Sequence, residues 1–342
     1  MRRIYRAVIC SWMLLGMASA QEIPRSIVGK GWGIDDFLIA ASSFEQAKET
    51  FGTRLGFTVR PSSNFPATGQ ANAIIAFEPA YLEITWFYER PKTPTGSRME
   101  RALDAGGGPY RYNIDVSPMA SAANVFRDLS IKFSLPPSRP RRLPDGTEEP
   151  GPWQMLVVDP GQAGMMPHVP GSAEVVIFEY TDNDDPAAMR HLRERLDKNA
   201  LPDPRRLPGE YHANTARRLA SFWVAVDSAD AAVKQSERLG LMRIGELHSD
   251  ELGSRGVAVQ CGVGTIVFWE PTNKSGVLAG ILSKRGSGPF GISLEVGSLE
   301  RAHALVEKGL PMKLPIVREG SHTSFVVPGP MALNTWIEFV QQ

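Results

Sequence analysis

The stretch from Gly33 to Ala40 reads GIDDFLIA, and its two acids pose a chemical problem. Ile34, Phe37, Leu38 and Ile39, followed by the turn-like Ser42-Ser43, predict a strand that is apolar on both faces. An ionised carboxylate there is costly unless another group pairs with it or it holds a metal ion, so Asp35 or Asp36 needs a partner. More acids sit in aromatic-rich strands: YLEITWF from Tyr81, EVVIFEY from Glu174, TIVFWEP from Thr265 and TWIEFV from Thr335. Glu83, Glu179 and Glu338 each follow an apolar pair and precede an apolar or aromatic residue, whereas Glu270 lies against Pro271 and is out of step. Among the histidines, His191 and His303 read as helix-surface residues and His168, His248 and His322 as loop residues. His212, in Tyr-His-Ala-Asn, either reaches a cleft or is a hydrogen-bonded loop histidine. There is no HExxH, CxxC pair, GxSxG elbow, P-loop or dinucleotide fingerprint, which argues against zincin protease, serine hydrolase and NTPase chemistry.

Four stretches that share one plan must position these acids: an apolar strand, a polar cap and a helix of about ten residues. They are FLIAASSFEQAKETFGTRLGF from Phe37, YNIDVSPMASAANVFRDLS from Tyr112, FWVAVDSADAAVKQSERLGL from Phe222 and FGISLEVGSLERAHALVEKGL from Phe290. Ser43 with Gln46 predicts a capping box, Ser117 precedes Pro118 at the first helical position, and Ser228 and Ser298 open the later helices. Gly56, Gly240 and Gly309 suit the left-handed closing position. Strand signals follow each helix and end in the acid-bearing strand, so the unit is a strand, a helix and several strands.

The chain's 342 residues are 42% hydrophobic, enough for a large core and about two domains. Its 37 basic and 37 acidic residues cancel without a like-charged block, so neither a nucleic-acid nor a membrane partner is expected. Residues 1–20 have a basic start at Arg2, Arg3 and Arg6, an apolar run from Ala7 to Gly16, and the small-residue end Ala18-Ser19-Ala20. This predicts an export signal cut before Gln21, hence a periplasmic or secreted chain. Cys10 leaves with the signal, so Cys261 has no disulfide partner and reads as a buried inert thiol. The expected division is a first domain over 33–185, a polar linker over 186–213 that includes Arg190, Arg193 and Arg195, and a second domain over 214–342.

Taken together, the four units resemble the paired βαβββ modules of the vicinal oxygen chelate superfamily, the first copy being most similar to its glyoxalase-like branch. Ile34-Asp35-Asp36, Arg54-Leu55-Gly56-Phe57, Gly69-Gln70-Ala71-Asn72 and Tyr81-Leu82-Glu83-Ile84 carry the resemblance. It implies an α+β fold of four βαβββ modules paired into two open barrels of the glyoxalase/bleomycin-resistance type. In that superfamily a divalent metal at the base of the cleft is held by a first-strand histidine and a last-strand glutamate. Carried over, the glutamate falls on Glu83 and, by the same pattern, on Glu179, while the histidine falls on Asp36. The first-strand position falls near Arg111, Ser221 and Gly291 in the other copies, so the second domain retains only Glu338.

A site of Asp36, Glu83 and Glu179, helped by Asn72, would be oxygen-only and would favour magnesium, manganese or calcium over zinc or nickel. The metal would polarise a small oxygenated substrate in a lyase- or dioxygenase-like reaction, with Glu83 or Glu179 as general base. Two other readings stand beside it. In one, the cleft binds a small molecule without metal, as sequestering resistance proteins do, with Trp86, Phe87, Tyr180, Trp336 and His212 facing the ligand. In the other, Asp36 is a buried carboxylate paired with an arginine or backbone amides, and the cleft is filled by side chains.

Overall fold

The computed structural model describes residues 26–29, 32–77, 80–91, 97–116, 118–151, 153–158, 175–180, 212–319 and 322–341. The expected leader, linker residues 186–211, Cys10, His168, His191, Arg190, Arg193 and Arg195 lie outside the described residues, as does the Tyr180 side chain.

Two curled sheets make the mixed α+β fold. The first contains β1 (Ile34–Ala40), β2 (Arg60–Phe65), β3 (Gln70–Ala76), β4 (Tyr81–Phe87), β5 (Gly108–Asp115), β6 (Phe133–Ser134), β7 (Pro140–Arg142), β8 (Glu148–Pro150), β9 (Trp153–Val158) and β10 (Val175–Tyr180). Its order is β6-β9-β10-β5-β1-β4-β3-β2-β7-β8. The second contains β11 (Ala216–Ala225), β12 (Met242–Ser249), β13 (Ser254–Cys261), β14 (Gly264–Pro271), β15 (Gly288–Val296), β16 (Val317–Glu319), β17 (His322–Val327) and β18 (Trp336–Gln341). It runs β12-β13-β14-β11-β15-β18-β17-β16. At each centre two strands meet antiparallel, β1 with β5 and β11 with β15, and each has a parallel outer neighbour: β4, β10, β14 and β18.

A helix follows each central strand. The first, α1, starts as Phe44–Ala47 and continues with π-type bonding over Lys48–Arg54. The others are α3 (Met119–Asp128), α4 (Ala229–Arg238) and α6 (Leu299–Gly309), while α2 (Arg98–Asp104) and α5 (Val277–Arg285) connect β4 to β5 and β14 to β15. Ser43, Ser228 and Ser298 cap their helices, each accepting a backbone N–H three residues on. The capping box at Ser43 takes another form: Gln46 Oε1 accepts from the Ser42 backbone N–H at 2.7 Å. Pro118 stands at the cap of α3 and not at its first helical position. Gly309 does not close α6 with a left-handed turn. It ends the helix where a Cβ would lie 2.1 Å from the Arg54 carbonyl oxygen, so close packing requires it.

The two sheets pack back to back over one core. Phe37 and Tyr112 meet Phe222 at ring separations of 5.4 and 5.5 Å, and Phe57 stacks on Phe339 at 5.9 Å. Each fully buried phenylalanine contributes roughly 2 kcal/mol to this interface. A backbone bridge between Gly33 and Gly262 joins the halves, and a Cβ on Gly262 would stand 1.4 Å from the Trp32 oxygen. Arg285 of α5 reaches the Pro109 carbonyl, and Asn334 Nδ2 donates to the Gly107 oxygen at 2.9 Å. Cys261 is fully buried in this core, and burial pushes its thiol up to about 12. No described helix is long and apolar enough to cross a membrane.

Candidate functional site

With the backs of the sheets joined, each sheet keeps an opposite, curled face outside the shared core. Alternation along the strands assigns the residues. Phe37, Ile39, Leu82, Ile84, Tyr112 and Ile114 enter the shared core, which leaves Asp36, Glu83, Thr85, Arg111 and Asn113 on the other face. A bulge aims the acids. Ile34 pairs with Ile114 and Phe37 with Tyr112, so Asp35 and Asp36 together stand opposite Asn113. Arg111 and Glu83 both pair with Leu38, from opposite sides, which sets their Cα atoms roughly 10 Å apart.

The hydrogen bonds of this face are incomplete. Asn72 Nδ2 donates to Glu83 Oε1 at 2.8 Å, while Asn72 Oδ1 accepts from the Ser63 backbone N–H at 2.7 Å. Tyr110 and Thr85 share a hydroxyl contact of 3.0 Å, and α2 closes that end by packing Met99 and Ala102 against Ala40, Phe87 and Tyr110. Asp36 is 2% exposed; burial first, then the charges of Asp35 and Glu83 and a hydrogen bond to Glu83, raise its carboxyl well above the usual range against an opposing effect of Arg111. The group that meets Asp36 is therefore another carboxylate, that of Glu83. Among the described residues, Asp36 Oδ1, both polar atoms of the Asn113 side chain and Arg111 Nε are buried without a hydrogen-bond partner.

The second half offers the opposite picture. Trp223, Trp269, Phe290 and Trp336 fill its curled face, and Leu278 of α5 packs over them. Glu338, which pairs with Ser293 as Glu83 pairs with Leu38, accepts from Ser293 Oγ at 2.6 Å and contacts His322 Nε2 at 2.9 Å. Trp223 Nε1 donates to the same serine oxygen at 3.0 Å. That acid is satisfied from within the protein.

Three expectations are corrected. Glu179 does not join Asp36 and Glu83: it lies two residues beyond Ile177, on the same strand face as that core residue, and its Oε2 accepts the Met119 backbone N–H at 3.0 Å. It caps α3 as Glu270 Oε2 caps α4 on the Ala229 N–H at 2.7 Å, so the capping acids share a register that the apolar-pair rule does not see. Trp86 alternates with Glu83 onto the helix side and packs on Phe44 at 5.7 Å. His212 is a clasp between the halves, with Nδ1 accepting from the Thr58 N–H at 3.0 Å and Nε2 2.9 Å from the Ala76 oxygen, between Phe57 and Phe77. Both ring nitrogens are thus used, and burial pushes the imidazole down to about 4. The signal missed was the run Arg111-Tyr112-Asn113, where polar residues alternate with core residues in a strand expected to be apolar.

A divalent metal does not fit the residues present. Of the three expected ligands, Asp36 and Glu83 hydrogen-bond one another and Glu179 is on the other face. A guanidinium, Arg111, stands where the next module would supply a ligand, and no group of three or more ligating His, Cys, Asp or Glu side chains occurs among the described residues.

This architecture, paired modules building two curled sheets, defines a member of the vicinal oxygen chelate superfamily. A triple variant of 4-hydroxymandelate synthase from Streptomyces coelicolor is 13% identical with a TM-score of 0.60, covering 92% of this chain and 93% of that one. A hypothetical protein from Staphylococcus aureus is 8% identical with a TM-score of 0.55, covering 91% and 99%. Methylmalonyl-CoA epimerase from Mycobacterium tuberculosis is 22% identical over 39% of this chain and 92% of its own, with a TM-score of 0.33. At these identities the first two likenesses speak for the fold alone, and no curated protein matches the sequence. The glyoxalase-like domain family matches residues 34–240, and the chain belongs to that family.

Proposed function

We propose that the first half is a metal-independent site for a small oxygen-bearing molecule, and that the second half is its structural support. The contrast between the two curled faces carries this reading. One holds orphaned polar atoms on the charged and amide side chains of Asp36, Arg111 and Asn113, and the other is filled by tryptophans around a satisfied Glu338, with the Trp269 Nε1 left unmet among them. Buried unpaired polar groups cost about 1–3 kcal/mol each, which a ligand of matching polarity removes. A second reading, acid–base catalysis at the same place, is favoured by the contact between Asp36 and Glu83, since Asn72 holds Glu83 beside a carboxyl able to give and take a proton. The leader pattern of residues 1–20 supports export, so the mature chain from Gln21 would act in the periplasm or medium.

The test is a melting-temperature screen of the mature chain against small hydroxy, oxo and carboxylate compounds, repeated with Asp36→Asn and Trp336→Phe. Stabilisation that the Asp36 variant loses and the Trp336 variant keeps is expected. No stabilising compound, or loss only with Trp336→Phe, would defeat the reading. Magnesium, manganese, calcium, nickel, zinc and EDTA are each expected to leave the melting temperature unchanged, and a rise with any ion would restore the metal.

A further inference from the structure

We propose that the first half recognises its ligand through a carboxylate, which the Arg111 guanidinium takes with the Asn113 amide beside it. A fixed side-chain cation thus supplies the positive charge of the site. The inference rests on the reading of the first half as a small-molecule site and names the ligand class.

Three observations carry it. Arg111 and Asn113 lie two residues apart on β5, on one face, because Tyr112 and Ile114 are in the core. Asn113 is 1% exposed, and neither its Oδ1 nor its Nδ2 has a partner among the described residues. A folded chain does not keep an amide this deep with both ends unmet unless something else meets them. Arg111 Nε is likewise buried and unmet, and the planar fork of a guanidinium matches the two oxygens of a carboxylate.

The neighbouring acids leave that fork available. Glu83 Oε1 already accepts from Asn72, and Glu83 also meets the Asp36 carboxyl. Asp36 Oδ1, unmet among the described residues, is then placed for a second polar group of the ligand. In the second half the position corresponding to Arg111 is Gly291, where a Cβ would lie 2.7 Å from the Trp336 oxygen and 2.8 Å from the Trp223 ring. The cation is absent there, and tryptophan atoms stand where its side chain would lie.

The experiment is isothermal titration of the mature chain with matched pairs, pyruvate against pyruvamide and benzoate against benzamide. The carboxylate of a pair is expected to bind about ten-fold tighter than its amide, with Arg111→Met removing that preference and Arg111→Lys keeping part of it. Asn113→Ala should weaken both members of a pair. Amides that bind as tightly as carboxylates, or carboxylate binding unchanged in Arg111→Met, would overturn the inference and leave the small-molecule reading standing. Failure of every compound to bind would overturn both. Should Arg111→Met not fold, the carboxylate-to-amide ratio of the unaltered chain decides.

Discussion

Asn72 is the residue that fixes the geometry of the site, because its amide ties the β2 backbone at Ser63 to the carboxylate of Glu83. Asn72→Ala removes a donor and an acceptor that are buried, and is expected to lower unfolding stability in urea by about 2 kcal/mol. His212 acts on stability through pH. Its ring is neutral in the fold, with the ordinary value of 6.5 pushed down to about 4 by burial, so the unfolded chain takes up a proton first as pH falls. The stabilisation is complete above about 6.5 and declines as pH falls towards 4, by roughly 3 kcal/mol in all. Urea midpoints at pH 7 and pH 4.5 should show this loss, and His212→Gln, less stable at pH 7, should flatten the difference. At this scale the sequence grouped Asp36 and Glu83 with Glu179 and Asn72, and the structure places Glu179 at the cap of α3 instead. The sequence could not mark Asn113, because an asparagine in a strand announces neither its face nor its missing partners.

At the scale of elements, the strands and helices were legible because apolar periodicity recurs in each unit and serine caps open three of the four helices that follow the central strands. Register was not. The bulge that sets Asp35 and Asp36 against Asn113, and the positions that make Glu179 and Glu270 helix caps, arise from pairing between segments distant in sequence. Gly262 shows the same dependence. Its φ of 59° and the Trp32 oxygen leave no room for a side chain where the halves are bridged. Gly262→Ala is expected to cost about 3 kcal/mol or more, read as a fall in urea midpoint, while Gly146→Ala, in a turn with open space around it, should cost less.

For the whole molecule, the shared core makes the halves interdependent. Phe37, Tyr112 and Phe57 pack on Phe222 and Phe339, and Asn214 of the second half donates to the Leu55 oxygen of the first at 2.7 Å. A chain ending after residue 185 would expose that interface, and it is expected to be insoluble or to lack a cooperative melting transition, while the full mature chain melts in one step. The sequence by itself determined the repeated units, the α+β class and the presence of a costly carboxylate on the first strand, because these follow from periodicity, capping and desolvation along contiguous residues. Only the tertiary structure decided which curled face keeps unmet charged and amide side chains and which is packed with tryptophan. It also decided that Asp36 finds a carboxylate and not a third ligand. Those outcomes depend on which strand lies beside which and in what register, and neighbours along the chain do not encode that.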